Sequence, residues 1–215
     1  MPAARTRSGE VARYLRLFLL LVLSLSSLSA IASGPVLVVG DSLSAAHNIP
    51  QHEGWVALLQ DRLNTRDVPA PEVINASISG ETSAGAVARL PDLIARHQPA
   101  IVVIELGGND GLRGLAPSEL AANLDAMIRM SREAGAKVLL IGTELPANYG
   151  RAYRDRFRAV YVDLARRHAV ALLPFLLDGV ALEPGLMQDD GLHPTAAAQP
   201  RVLDNVWPLL QPMLP

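Results

Sequence analysis

The 215-residue chain contains no cysteine. That excludes a disulfide framework, a thiol nucleophile, a cysteine-ligated zinc site and a lipid anchor on cysteine. The glycine spacings G-x-G-x-x-G and G-K-[ST] are missing around Gly40, so neither a dinucleotide site nor a phosphate loop is indicated there. The G-x-S-x-G elbow is also incomplete, because Gly40-Asp41-Ser42-Leu43 leads to Ser44 and not to a second glycine. Asp41 read as a nucleophile would suggest a phosphatase, but no second aspartate stands two residues later. No internal repeat, low-complexity linker or second domain is seen. Beyond the first 32 residues, 15 basic and 20 acidic side chains remain, without a basic cluster. Nucleic acid is therefore a poor candidate partner.

What is present begins with a basic and then aliphatic segment. Arg5, Arg7, Arg13 and Arg16 precede the run Leu17 to Leu23, and Ala30-Ile31-Ala32 supplies an A-x-A pattern. This is the layout of a secretory signal peptide over residues 1–32, cut after Ala32, which leaves 33–215 as one domain in the periplasm or outside the cell. The competing reading is an uncleaved anchor, since Leu17 to Ser33 lies at the lower edge of a spanning length. Adjacent arginines are absent, so a twin-arginine signal is not indicated.

Half of all residues are apolar, enough for a sizeable core. Strands are expected at Val36–Val39, Val73–Ile74, Ile101–Ile104, Lys137–Ile141 and Val170–Leu173, the first and third of them buried. Helical spacing is expected over 51–63, 84–97 with a break or restart at Pro91, 117–134, 151–168, and 195–210 interrupted by prolines. Strands alternating with helices imply an α/β fold with a parallel sheet covered on both faces.

Polar atoms gather where these strands end. Gly40-Asp41-Ser42-Leu43 follows the first strand, Asn75-Ala76-Ser77-Ile78-Ser79-Gly80 the second, and Gly107-Gly108-Asn109-Asp110 the third. Asp190-Gly191-Leu192-His193-Pro194 comes near the end of the chain. Each block fits one task of acyl transfer. Ser42 is the candidate nucleophile and His193 the base, with Asp190 three residues earlier to orient its ring. The backbone N–H groups of Ser42 and Gly80 and the amide of Asn109 are candidate oxyanion donors. His47 is a weak rival for the base, only five residues beyond Ser42. His52, His97 and His168 fall on helices. Asp189 is the less suitable of two adjacent carboxylates, and Asp41 is read as a shaper of the turn. A metal set of Asp41, Asp110 and His193 lacks paired ligands at helical spacing, so no metal is expected. Asn75-Ala76-Ser77 matches a glycosylation sequon, but a position at the end of a buried strand suits it poorly.

Taken together, the four blocks resemble the SGNH (GDSL) hydrolase superfamily. Within it, Asn75 to Gly80, Glu105 to Gly114, Leu145 to Gly150 and Met187 to Pro194 are similar to the periplasmic thioesterase I/lysophospholipase/arylesterase group. The resemblance implies a three-layer α/β/α sandwich on a five-stranded parallel, flavodoxin-like sheet. It implies a shallow site, a mobile loop at 111–116, and hydrolysis of aryl esters, lysophospholipids and acyl thioesters without a cofactor. It also places Leu112, Leu115, Leu145, Pro146 and Tyr149 around an acyl groove. Glu81 departs from the aspartate common after the block glycine. The expected partner is a small-molecule acyl ester or thioester, and the expected state is a monomer with no stable membrane span. A carbohydrate acetylesterase on the same fold and a non-catalytic acyl-binding protein are the alternatives.

Overall fold

The computed structural model describes residues 34–214; the segment read as a signal peptide lies outside them. Five parallel strands form one sheet in the order β2-β1-β3-β4-β5. They are β1 (Val36–Gly40), β2 (Val73–Asn75), β3 (Ile101–Glu105), β4 (Lys137–Ile141) and β5 (Ala171–Leu173). Among the described residues, six α-helices accompany them: α1 (Trp55–Asn64), α2 (Ser83–His97), α3 (Gly108–Leu112), α4 (Pro117–Glu133), α5 (Arg151–His168) and, after the last strand, α6 (Gln199–Leu210).

The strand sequences are apolar apart from Asn75, Glu105 and Lys137 at their ends, because both faces of the sheet are covered. Alternate residues point to opposite faces. Val36, Val38, Ile101, Val103, Leu139 and Ile141 therefore pack on one side with Trp55, Leu59 and Leu63 of α1 and Val202, Leu203 and Val206 of α6. Leu37, Val39, Val102, Ile104 and Leu140 pack on the other, with Leu90 of α2, Leu124 of α4 and Phe157 and Tyr161 of α5. All five residues of β1, and all five of β3, are buried.

Four helices differ from the sequence expectation, the first being α3, which takes in residues 111 and 112 where a loop was expected. The segment expected to be helical from Gln51 splits into a single 3-10 turn, Gln51–Glu53, and α1, because Gly54 between them is extended. A side chain at Gly54 would collide with the Ala46 side chain at 2.8 Å, so the chain passes there as bare backbone. Pro91 does not break α2, which runs unbroken from Ser83 to His97. Pro91 is exposed, so the carbonyl it leaves unbonded one turn earlier lies toward solvent. Pro208 is likewise carried within α6 on the exposed side. No helix among the described residues is long and apolar enough to cross a membrane.

Candidate active site

Gly40 and Glu105, the last residues of β1 and β3, are register partners, so the loops that follow leave the sheet side by side. The strand order reverses between these strands, and open α/β sheets form ligand crevices at such a point. Gly40 is dictated by packing: a Cβ there would lie 2.8 Å from both the Glu105 carboxylate and the Ser44 hydroxyl. Glu105 is fully buried, and its Oε2 accepts hydrogen bonds from Ser44 Oγ at 2.8 Å and the Asp41 N–H at 3.4 Å. Burial pushes its carboxyl well above the ordinary value, and the charge of Asp41 adds to this.

Asp41 turns the chain. Its Oδ1 accepts the Leu43 N–H at 3.1 Å and its Oδ2 accepts from Asn109 Nδ2 at 3.2 Å. Burial raises its pKa to about 6 in spite of those bonds. The turn carries Ser42 out of the sheet. Asn109 is presented by the first turn of α3, and Gly107 just before that helix has φ +116°. A Cβ on Gly107 would fall 2.1 Å from the Tyr161 hydroxyl, which itself donates to the Leu106 carbonyl at 2.8 Å. Asp110, next in α3, accepts from both the N–H and the hydroxyl of Ser83 and so ties α3 to the start of α2.

The 187–195 segment closes the site from above. His193 Nε2 lies 2.9 Å from Ser42 Oγ, and its Nδ1 lies 2.7 Å from Asp190 Oδ2. Asp190 Oδ1 accepts the N–H groups of Leu192 at 2.9 Å and His193 at 3.0 Å. The bond to the His193 ring, then these two N–H bonds, lower the Asp190 pKa to about 2. An ionised carboxylate only accepts, so Nδ1 of a neutral His193 must carry the proton and Nε2 turns its lone pair to the Ser42 hydroxyl. Such a chain lets a hydroxyl lose its proton as it attacks.

Of the expected oxyanion donors, Ser42 and Asn109 line the cavity next to His193, whereas Gly80 is not among its lining residues. Among the described residues, the Ser42 and Gly80 N–H groups have no protein acceptor. Asn109 gives one amide hydrogen to Asp41 and keeps the second. Gly80 has φ +82°, is exposed, and accepts Arg113 at its carbonyl at 3.0 Å.

Ser42, Asn109 and His193 border a cavity of about 500 Å³. Leu112, Leu145 and Pro146 line it, together with Phe175, Ala181 and Met187. Leu115 and Tyr149 stand outside that lining. Tyr149 donates its hydroxyl to the Leu112 carbonyl at 2.8 Å, and Tyr153 does the same to Leu115 at 2.7 Å, so these tyrosines hold the 112–115 loop from behind. Among the described residues, no cluster of three or more metal-ligating side chains occurs. Asn75 spends its amide on the Ser44 carbonyl at 2.8 Å.

Residues 38–200 match the model of the GDSL-like lipase/acylhydrolase family. The chain belongs to this family. It is a hydrolase, and 56% of residues are identical to esterase TesA of Pseudomonas aeruginosa over 183 positions, covering 85% of this chain and 90% of that one. It is 44% identical to thioesterase 1/protease 1/lysophospholipase L1 of Escherichia coli K12, covering 90% and 91%. The crystal structure of esterase EstA from Pseudoalteromonas, inhibited by monoethylphosphonate, superposes with a TM-score of 0.78 at 39% identity, covering 83% of this chain and 97% of that one.

Some residues around the site were assigned no role from the sequence. Glu105 reads as the last residue of a buried strand, and only its register with Gly40 reveals it beneath the Ser42 turn. Gln188 donates to the carbonyls of both His47 and Pro194 at 2.9 Å, bridging segments 141 positions apart. Phe175, Ala181 and Met187 could have been suspected only from following β5, where groove walls form.

Proposed function

We propose that this hydrolase is an exported serine esterase that cleaves acyl esters and thioesters through an acyl-enzyme on Ser42. The observation that carries the reading is the chain Ser42–His193–Asp190, with contacts of 2.9 and 2.7 Å, at the mouth of an apolar groove. Ser42 Oγ attacks the substrate carbonyl while His193 Nε2 takes its proton. The resulting oxyanion accepts from the Ser42 and Gly80 N–H groups and the free amide hydrogen of Asn109. His193 returns the proton to the leaving alcohol or thiol as the carbonyl re-forms, which leaves the acyl group on Ser42. Water then attacks the acyl carbon with His193 again as base, and His193 gives that proton to Ser42 Oγ as the acyl–oxygen bond breaks and the fatty acid departs. Asp190 stays ionised throughout and holds the ring.

The apolar lining favours fatty-acyl chains over sugars. The similarity to an esterase and to a thioesterase/lysophospholipase supports leaving groups of several kinds. Export rests on the basic-then-aliphatic start and the A-x-A site at Ala30 to Ala32.

The test is hydrolysis of a p-nitrophenyl ester series from acetate to palmitate by the protein lacking residues 1–32, beside Ser42→Ala. Turnover that peaks at medium or long chains and disappears in Ser42→Ala supports the reading. Activity that survives Ser42→Ala, or that is confined to acetate and acetylated sugars, overturns it.

A further inference from the structure

The His193 ring is held at two points, Nδ1 by Asp190 and Nε2 by Ser42. Two contacts across a ring fix an axis and leave the ring free to tilt about it. His47 fills the space that such a tilt would use, with its ring centroid 4.2 Å from that of His193 and the planes 38° apart. Its placement is specified by the backbone. Ala46 and Asn48, on either side, both adopt left-handed conformations, with φ of 57° and 56°. Non-glycine residues rarely do so, and such strain gathers where geometry is functional. The His47 carbonyl accepts from Gln188, whose amide also donates to the Pro194 carbonyl, so the two backbone segments that bear the rings are tied by one side chain.

We infer that His47 is a positioning residue for the reaction, its aromatic face bracing His193 and favouring the imidazolium that forms as Ser42 attacks. An aromatic face attracts a cation placed over it, and this attraction is gained only once His193 is charged. A contact made only then raises kcat and leaves KM unchanged. The inference rests on the relay proposed above.

The experiment compares His47→Phe, which keeps an aromatic face, with His47→Leu, which keeps bulk alone, using p-nitrophenyl butyrate at pH 8. Ser42→Ala is the reference and melting temperatures are recorded for all. His47→Leu is expected to lose about 3- to 30-fold in kcat at unchanged KM, while His47→Phe stays within about twofold of wild type. The downfield proton resonance of the His193–Asp190 contact should broaden or shift in His47→Leu and persist in His47→Phe. Wild-type kcat in His47→Leu, or an equal loss in both variants, overturns the bracing role. Activity retained in Ser42→Ala would instead remove the relay itself.

Discussion

Burial holds the Asp41 carboxyl at about 6, above the 3.8 of an open aspartate. A raised folded value means that the protonated form is favoured in the fold, so the contribution is complete below about pH 4 and is lost as pH rises through 6. Stability should therefore fall from pH 4 to 7, and Asp41→Asn should flatten that limb in melting curves. The same variant leaves one acceptor oxygen for two donors, the Leu43 N–H and the Asn109 amide, and should cut kcat about ten- to a hundredfold by loosening the turn or Asn109. Asp190 has the opposite sign. Its pKa is lowered to about 2, so its contribution is present above about pH 4 and is lost as pH falls through 2. Its carboxylate is 39% exposed, so the acid limb of melting should become only slightly shallower in Asp190→Asn. Activity in that variant should drop about 10³- to 10⁴-fold, because an amide can accept from Nδ1 or donate to it and no longer fixes the tautomer. At this scale the sequence was most readable for residues in short blocks. Ser42, Asn109, Asp190 and His193 stand out because the loops that bear them carry little other chemistry. Glu105 and His47 do not, since one is disguised as strand and the other as an ordinary loop residue; only the register of two strands and a return of the chain from residue 193 give them neighbours.

Elements hold the donors in place through contacts made edge-on. The start of α3 is fitted under Tyr161 of α5, with no room for a side chain on Gly107. Gly107→Ala should lose about 2–5 kcal/mol, combining a non-glycine residue in the left-handed region with an overpacked contact. Tyr161→Phe should lose about 1–3 kcal/mol by leaving the Leu106 carbonyl unpaired. The double variant should cost less than the sum, because removing the hydroxyl opens the space that the new methyl needs. Urea unfolding of the four proteins measures this coupling; strict additivity would contradict it. The strands were legible from their continuous apolar runs, and the boundaries of α4 from Pro117. The proline effects were not, because local sequence cannot tell which side of a helix faces water. Pro91 and Pro208 both lie on solvent-facing sides, where the lost bond is tolerated.

For the whole molecule, the switch point of the sheet sets the mouth of the groove, and the segments after β4 and β5 form its walls. Ala181 is a small residue in that lining. Ala181→Phe should reduce kcat/KM for long-chain p-nitrophenyl esters at least about tenfold and leave acetate within twofold, shifting the preferred chain length downward. An unchanged chain-length profile would place the acyl chain elsewhere. The alternation of strands and helices made the layers legible, whereas the groove walls were not, since they come from loops that meet only after folding. The same long-range closure governs when the chain acquires its chemistry. Ser42 and His193 are 151 residues apart, and Gln199, beyond His193, supplies the buried side-chain oxygen that receives the Trp55 N–H at the start of α1. On the proposed mechanism, a chain that ends before His193 holds a nucleophile without its base, so chemistry must wait until the far end of the sequence has folded back onto the strand that bears Ser42.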